Sequence, residues 1–81
     1  MNVRVLFFSV LRDITGAEEL PWECPPGTTV ASLLEQLHSH WPPLREWDAS
    51  LLVAVDQTYV KRDAVLHNGC EVAVMPPVQG G

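Results

Sequence analysis

Apolar residues in the first part of the chain are arranged as two β-strands of different exposure. Residues 3–11 are almost all apolar and rich in β-branched and aromatic side chains, which predicts a central strand covered on both faces. Leu20, Trp22 and Cys24 then alternate with glutamate or proline, which is the period of a half-exposed strand. Because Pro21 has no amide hydrogen to donate, we expect this second strand at an edge of the sheet.

One amphipathic helix is predicted after the second strand. The run Pro25-Pro26-Gly27 ends that strand, and the hydroxyl of Thr28 or Thr29 can accept hydrogen bonds from the first free amides of a helix. Pro42-Pro43 ends the helix, and residues 44–50 form a connection with a helical turn. The apolar stripe that should pack on a sheet repeats at helical spacing and consists of Val30, Leu33, Leu34, Leu37 and Trp41.

The second half of the chain supplies the remaining predicted strands. Residues 51–55 are a strand by composition, and residues 59–60 return from a turn at Asp56-Gln57. Asn68-Gly69 indicates another tight turn, because such turns require positive φ. Residues 70–75 then form the last strand.

Two strands, a helix and two or three further strands make an α+β pattern. If the first and last strands pair in parallel at the centre, the fold is a ubiquitin-like β-grasp, in which one main helix caps a mixed sheet. The chain has 81 residues, of which 47% are hydrophobic, and this is enough for one small core. We therefore predict one domain over residues 1–76 and a flexible C-terminal tail over residues 77–81.

Charge and cysteine content restrict the partners and the compartment. The formal net charge is −5, and the absence of a basic cluster disfavours nucleic acid as a partner. Cys24 and Cys70 lack the spacing of a redox pair or zinc knuckle, and the three histidines lack metal-ligand spacing, so neither a metal site nor a bound cofactor is expected. Residues 3–11 are too short for a membrane span and precede no cleavage site, which favours the cytoplasm.

The chain ends in Pro76-Pro77-Val78-Gln79-Gly80-Gly81. A C-terminal glycine has no Cβ, so its carboxyl carbon can be approached from either face. The prolines favour extended geometry, and residues 77–81 can span up to ~17 Å at ~3.3 to 3.6 Å per residue. A segment with two prolines at its start, the Pro-Pro root, and two glycines without side chains at its end can enter a narrow cleft. Met75 and Val78 are apolar residues near this end, and we expect a partner groove to cover them.

This order of elements, with a terminal Gly-Gly, resembles the ubiquitin-like sulfur-carrier proteins over nearly all of the chain. Thiamine-pathway carriers share the fold but lack the Pro-Pro root. Three segments, Val3 to Phe8, Leu51 to Gln57 and Gly69 to Gly81, are similar to the small, sulfur-carrying subunit of molybdopterin synthase. The chain departs from those subunits at Asp56, where they often have asparagine, at Cys70, where they often have an acidic residue, and at Val74 and Met75, where they often have aromatics.

The resemblance implies chemistry at the C-terminal carboxylate. An ATP-dependent adenylating enzyme would convert the Gly81 carboxylate to an acyl-adenylate, and a sulfur donor protein would displace AMP to leave a thiocarboxylate. That sulfur would attack a pterin precursor in the large catalytic subunit of molybdopterin synthase. Two carriers acting in turn would complete the dithiolene needed for molybdenum cofactor biosynthesis. The chain would then be a sulfur-donating subunit of a heterotetrameric transferase, without catalysis of its own.

The same resemblance assigns roles to individual residues. Gly80 would let the tip thread a tunnel in which any Cβ would clash, and Gly81 would carry the transferred atom. The residues expected to contact partners are Phe7, Met75, Pro76, Pro77, Val78 and Gln79. Leu6 and Phe8 could also contact a partner, but at strand spacing all three residues are expected in the core more than at the surface.

Other functions and sites stay open. The chain could serve thiamine synthesis or tRNA thiolation, or modify proteins through a bond from Gly81 to lysines. It could also be a β-grasp interaction module whose tail has no chemistry. Cys70, beside a turn, could be exposed and accept sulfur itself, and Trp47 is a candidate for the surface because it lies outside the helix stripe.

Overall fold

The computed structural model describes residues 1–77, and residues 78–81 lie outside the described part. The predicted α+β class is confirmed. In chain order the elements are β1 (Asn2–Phe7), the helix α1 (Val10–Thr15), β2 (Glu19–Glu23), the helix α2 (Val30–His40), a 3₁₀ helix (Pro42–Ser50), β3 (Leu52–Val55), β4 (Thr58–Tyr59) and β5 (Glu71–Met75).

The strands form one mixed sheet in the order β2-β1-β5-β3-β4. β1 and β5 pair in parallel, with Val5 opposite Val72, while the other neighbouring strands are antiparallel. The predicted parallel pairing of the first and last strands is therefore confirmed. Because α2 packs its apolar stripe on one face of this sheet, the architecture is the expected β-grasp.

The first strand is shorter than predicted and is covered on one face only. β1 ends at Phe7, and the last two residues of the apolar run belong to α1. Ser9 explains the break, because its φ of 56° and ψ of −132° belong to a type II′ turn. The amide of Leu11 closes this turn on the carbonyl of Phe8 at 3.2 Å. Along β1 buried and more exposed residues alternate, so the prediction of a doubly covered strand was wrong.

Helix α2 forms as its sequence predicts. The hydroxyl of Thr29 accepts a hydrogen bond from the amide of Ser32 at 3.2 Å, which satisfies one free amide of the first turn. The four aliphatic residues of the stripe are buried, and Trp41 is half-buried against the edge of Phe7 at a ring-centroid distance of 5.7 Å. None of the described helices is long and apolar enough to cross a membrane.

The second strand lies at a sheet edge, as Pro21 predicts. The amide of Phe7 donates to the carbonyl of Glu18, and the amide of Cys24 donates to the carbonyl of Met1. In an antiparallel pair every second residue is hydrogen-bonded to the neighbouring strand, and Pro21 is one of the residues between these, so its backbone groups point away from β1. The middle of this outer edge therefore has no donor, which discourages pairing with another strand.

A polar network fixes the 3₁₀ helix against the rest of the fold. The buried His38 donates from Nε2 to the Asp48 carboxylate at 2.6 Å, and Arg62 donates to the same oxygen at 3.2 Å and to the Asp48 carbonyl. The amide of Leu51, at the entrance to β3, also bonds to that carbonyl. Asp48 thus connects α2, the 3₁₀ helix and the segment after β4. It lies just before β3, the strand that pairs with β5.

Candidate docking face and tail root

The C-terminal segment leaves the fold from a central strand. β5 lies between β1 and β3 and ends at Met75. Pro76 and Pro77 follow it and are half-buried. These three predicted partner contacts therefore lie together at one end of the sheet, which we call the tail root. The predicted site residues Val78, Gln79, Gly80 and Gly81 lie outside the described residues.

The sheet face opposite α2 carries a shallow depression, the central trough. Its floor is the directly opposed pair Ala54 and Ala73, whose small side chains leave room between larger neighbours. Leu6 opposes Ala73 on one side, and Tyr59, 69% exposed, opposes Ala54 on the other. The residues that line the trough are Leu6, Phe8, Ala54, Gln57, Tyr59, Glu71, Ala73 and Met75.

An apolar row borders the trough at the tail root. Leu52 opposes Met75 across β3 and β5, and the amide of Phe8 bonds to the carbonyl of Val74 on the other side of β5. Phe8 is 43% exposed and Leu52 is 39% exposed. Large apolar side chains grouped at a surface are typical of a protein contact site. We call Phe8, Met75 and Leu52 the apolar row.

The opposite end of the same face is charged. Arg4 lies 3.5 Å from a carboxylate oxygen of Glu19 and 3.7 Å from one of Glu71. Asp56 accepts a hydrogen bond from the amide of Glu71 at 3.0 Å, and His67 lies 3.0 Å from its other oxygen. The face therefore changes from ion pairs to apolar side chains toward the tail root.

Phe7 does not lie on this surface. Its side chain is 2% exposed and packs in the core, whereas its neighbour Phe8 is 43% exposed. A period of two counted from Val3 would have placed Phe7 inside and Phe8 outside. The continuous apolar run concealed this alternation, because the open face of β1 also carries apolar residues.

Neither cysteine is available as a surface nucleophile. Cys24 and Cys70 are both buried and unpaired. Burial raises the pKa of the Cys70 thiol, since a thiolate would lose its hydration there. The expectation that Cys70 is exposed was wrong, and the structure gives no support to a cysteine that accepts sulfur at the surface.

The remaining candidates divide between core and surface. Trp47 is half-buried against the core, so it is a packing residue more than a surface contact. Within residues 1–77 no three His, Cys, Asp or Glu side chains come together as metal ligands. Sequence reasoning missed the Ala54–Ala73 floor and the exposed Tyr59, because their importance depends on strand register.

Comparisons with known proteins agree with this architecture. The model of the ThiS family matches residues 5–81. A Mycobacterium tuberculosis protein named molybdopterin synthase sulfur carrier subunit is 38% identical over 84 residues, covering 100% of this chain and 99% of the relative. A solved Pyrococcus furiosus structure, described as molybdopterin converting factor subunit 1, has a TM-score of 0.87 at 31% identity and covers 96% of this chain and 99% of that one.

A third comparison concerns an assembly. The solved complex of subunits 1 and 2 of the molybdopterin-converting factor from Helicobacter pylori contains a chain with a TM-score of 0.69 to this one, covering 100% of both chains. At 23% identity this likeness extends to the fold alone.

Proposed function

The chain belongs to the ThiS family, and from that premise we propose that it is the sulfur carrier subunit of molybdopterin synthase. The observation that carries the proposal is its full-length likeness to the Mycobacterium tuberculosis subunit of that name. The doubled proline before the terminal Val-Gln-Gly-Gly supports it, because the resemblance is most specific there. The working part in this proposal is the C-terminal segment of residues 77–81.

The proposed chemistry begins with activation of the Gly81 carboxylate. A carboxylate is a poor acyl donor, because its charge repels nucleophiles and oxide is a bad leaving group. An adenylating enzyme would transfer AMP from ATP to one oxygen and release pyrophosphate. A persulfide on a donor protein would then attack the carbonyl carbon and displace AMP. Reductive cleavage of the resulting sulfur–sulfur bond by a thiol would leave the thiocarboxylate.

In the second half of the proposed cycle, the thiocarboxylate sulfur is transferred to the pterin. The thiocarboxylate sulfur is more nucleophilic than a carboxylate oxygen, so it would attack the pterin precursor held by the large catalytic subunit. Hydrolysis of the acyl–sulfur bond would leave sulfur on the pterin and return Gly81 as a carboxylate. Two carriers in turn would supply the two sulfurs of the dithiolene. The chain itself would need neither a bound cofactor nor a metal.

The geometry of the tail root supports delivery into a partner. Pro76 and Pro77 follow β5, which is hydrogen-bonded to β1 on one side and to β3 on the other. The sheet therefore fixes the position from which the C-terminal segment begins. The apolar row and central trough adjoin this point, and a subunit that received the tail could bury them at the same time. Acid–base groups would come from that subunit, because residues 75–81 contain no acidic or basic side chain.

The proposed cycle belongs in the cytoplasm, where ATP and reduced thiols are available. Both cysteines are unpaired and buried, which suits a reducing compartment.

Co-purification tests the choice of pathway. The full chain, expressed in its native host and isolated through a tag at residue 1, should retain a larger pterin-binding subunit. Recovery of a thiazole-forming enzyme or of a tRNA-thiolating enzyme in its place would move the chain to one of those pathways. A chain that retained none of these enzymes, bound another protein and acquired no sulfur would be an interaction module without tail chemistry.

A further inference from the structure

One cationic side chain differs from the other four in the described part of the chain. Each of the four arginines, Arg4, Arg12, Arg45 and Arg62, lies within ion-pair distance of an acidic side chain. Lys61 is the single lysine of the sequence, is exposed, and forms no ion pair within residues 1–77. In a chain with a net charge of −5, an exposed lysine outside every ion pair of the described residues is available to an acidic group of a partner.

Lys61 lies beside the surface proposed to receive a partner. It lies two residues after the end of β4 and lines a second depression, which we call the edge notch. Tyr59 is shared between the notch and the central trough, and Leu52 is shared between the notch and the apolar row. The residues that line the edge notch are Leu51, Leu52, Val53, Tyr59, Val60, Lys61 and Arg62.

The chemistry of the notch selects an acidic group. Its walls are mainly aliphatic and aromatic, and of its two cations Arg62 already donates to Asp48. The Lys61 ammonium group is therefore the donor that an incoming side chain can engage. A carboxylate with apolar neighbours would fit this surface, because it could pair with Lys61 while its neighbours covered Leu52 and Tyr59.

We propose that Lys61 pairs with an acidic side chain of the large subunit of molybdopterin synthase, at the rim of the interface that covers the apolar row. This inference rests on the proposed function, from which it takes its partner. Lys61 acts as a positioning residue, since it orients the carrier on the subunit while the chemistry occurs at Gly81. A rim pair of this kind mainly affects the rate of association and its dependence on salt.

Charge reversal with a matched control tests the contact. Lys61→Glu and Arg45→Glu each replace one positive charge by one negative charge, but Arg45 lies on the 3₁₀ helix and pairs with Glu35 of α2. We expect Lys61→Glu to weaken binding of the large subunit about tenfold, with most of the loss in the association rate. Arg45→Glu should change the affinity by less than about twofold. Far-ultraviolet circular dichroism should be unchanged in both variants.

Zero-length cross-linking tests the same contact directly. A carbodiimide activates a carboxyl group, and an amine in contact then forms an amide and releases the urea. The amines of the chain are Lys61 and the terminal amine of Met1, which donates to the carbonyl of Cys24 at 2.8 Å. We expect mass spectrometry of the wild-type complex to find Lys61 joined to an aspartate or glutamate of the large subunit. Lys61→Arg should bind normally and lose this cross-link, because guanidinium does not react.

The outcomes separate the two proposals. If the large subunit binds the wild-type chain, but Lys61→Glu binds equally well and Lys61 forms no cross-link, the role of Lys61 is refuted while the proposed function stands. A wild-type chain that does not bind the large subunit at all would refute both.

Discussion

Asp48 is the residue at which three parts of the chain meet, and its ionisation should influence stability. The hydrogen bond from His38, aided by the charge of Arg62 and its hydrogen bond, holds the pKa of its carboxyl below the ordinary value of 3.8, although burial acts in the opposite direction. Because the folded-state pKa lies below the unfolded one, this carboxylate stabilises the fold fully above the unfolded value. The stabilisation disappears as pH falls through the folded value.

We therefore predict that Asp48→Asn lowers the free energy of unfolding at neutral pH, and that its difference from wild type narrows below about pH 4. Urea unfolding at a series of pH values measures this difference. Asp63→Asn is the matched control, because Asp63 is exposed and should shift stability little at any pH. A deficit of Asp48→Asn that stayed constant into strong acid would mean that the carboxylate charge has no such role.

Ser9 holds a backbone conformation that glycine adopts more readily. It occupies the second position of a type II′ turn, with a positive φ of 56°. Ser9→Gly should raise the free energy of unfolding by up to about 1 kcal/mol, since the strain removed outweighs the added freedom of the unfolded chain. Ser9→Ala keeps the Cβ and should bring no gain. Equal denaturation midpoints for these two variants would show that the turn is unstrained.

At the scale of elements, the apolar row should contribute to binding more than to folding. Phe8→Ser removes an exposed aromatic ring beside the tail root, so we predict binding to the large subunit at least about tenfold weaker, as for a central interface residue. Val65→Ser removes a more exposed apolar side chain, at 64%, outside the trough and serves as control. Isothermal titration calorimetry measures both. Similar affinities for the two variants would argue against the apolar row as a contact.

The sequence predicts correctly those elements whose residue pattern is compatible with only one type of secondary structure. The stripe of α2 together with its Thr29 cap defined a helix, and Asp56-Gln57 defined a turn that is observed with positive φ at both residues. The end of β1 was not predictable, because a continuous apolar run fits a strand or a strand followed by a short helix. The network around Asp48 also escaped prediction, since it joins residues far apart in sequence whose proximity only packing creates.

At the scale of the whole molecule, the candidate site was predicted in part. The Pro-Pro root and the terminal glycines were read directly from the sequence, and Met75, Pro76 and Pro77 do lie at the end of a central strand. The trough could not be foreseen, because it requires Ala54 to lie opposite Ala73 and both to lie between larger residues. That register belongs to the antiparallel pairing of β3 with β5, two strands that are separated along the chain by β4 and a loop.

The proposed sulfur transfer depends on a C-terminal carboxylate that can be activated. Intact mass spectrometry after incubation with the adenylating enzyme, ATP and a persulfide donor measures this most directly. We predict a mass gain equal to the replacement of one oxygen by sulfur, confined to the C-terminal peptide and absent from a variant extended beyond Gly81. A wild-type chain of unchanged mass, under conditions in which the same enzyme loads another carrier, would contradict the account.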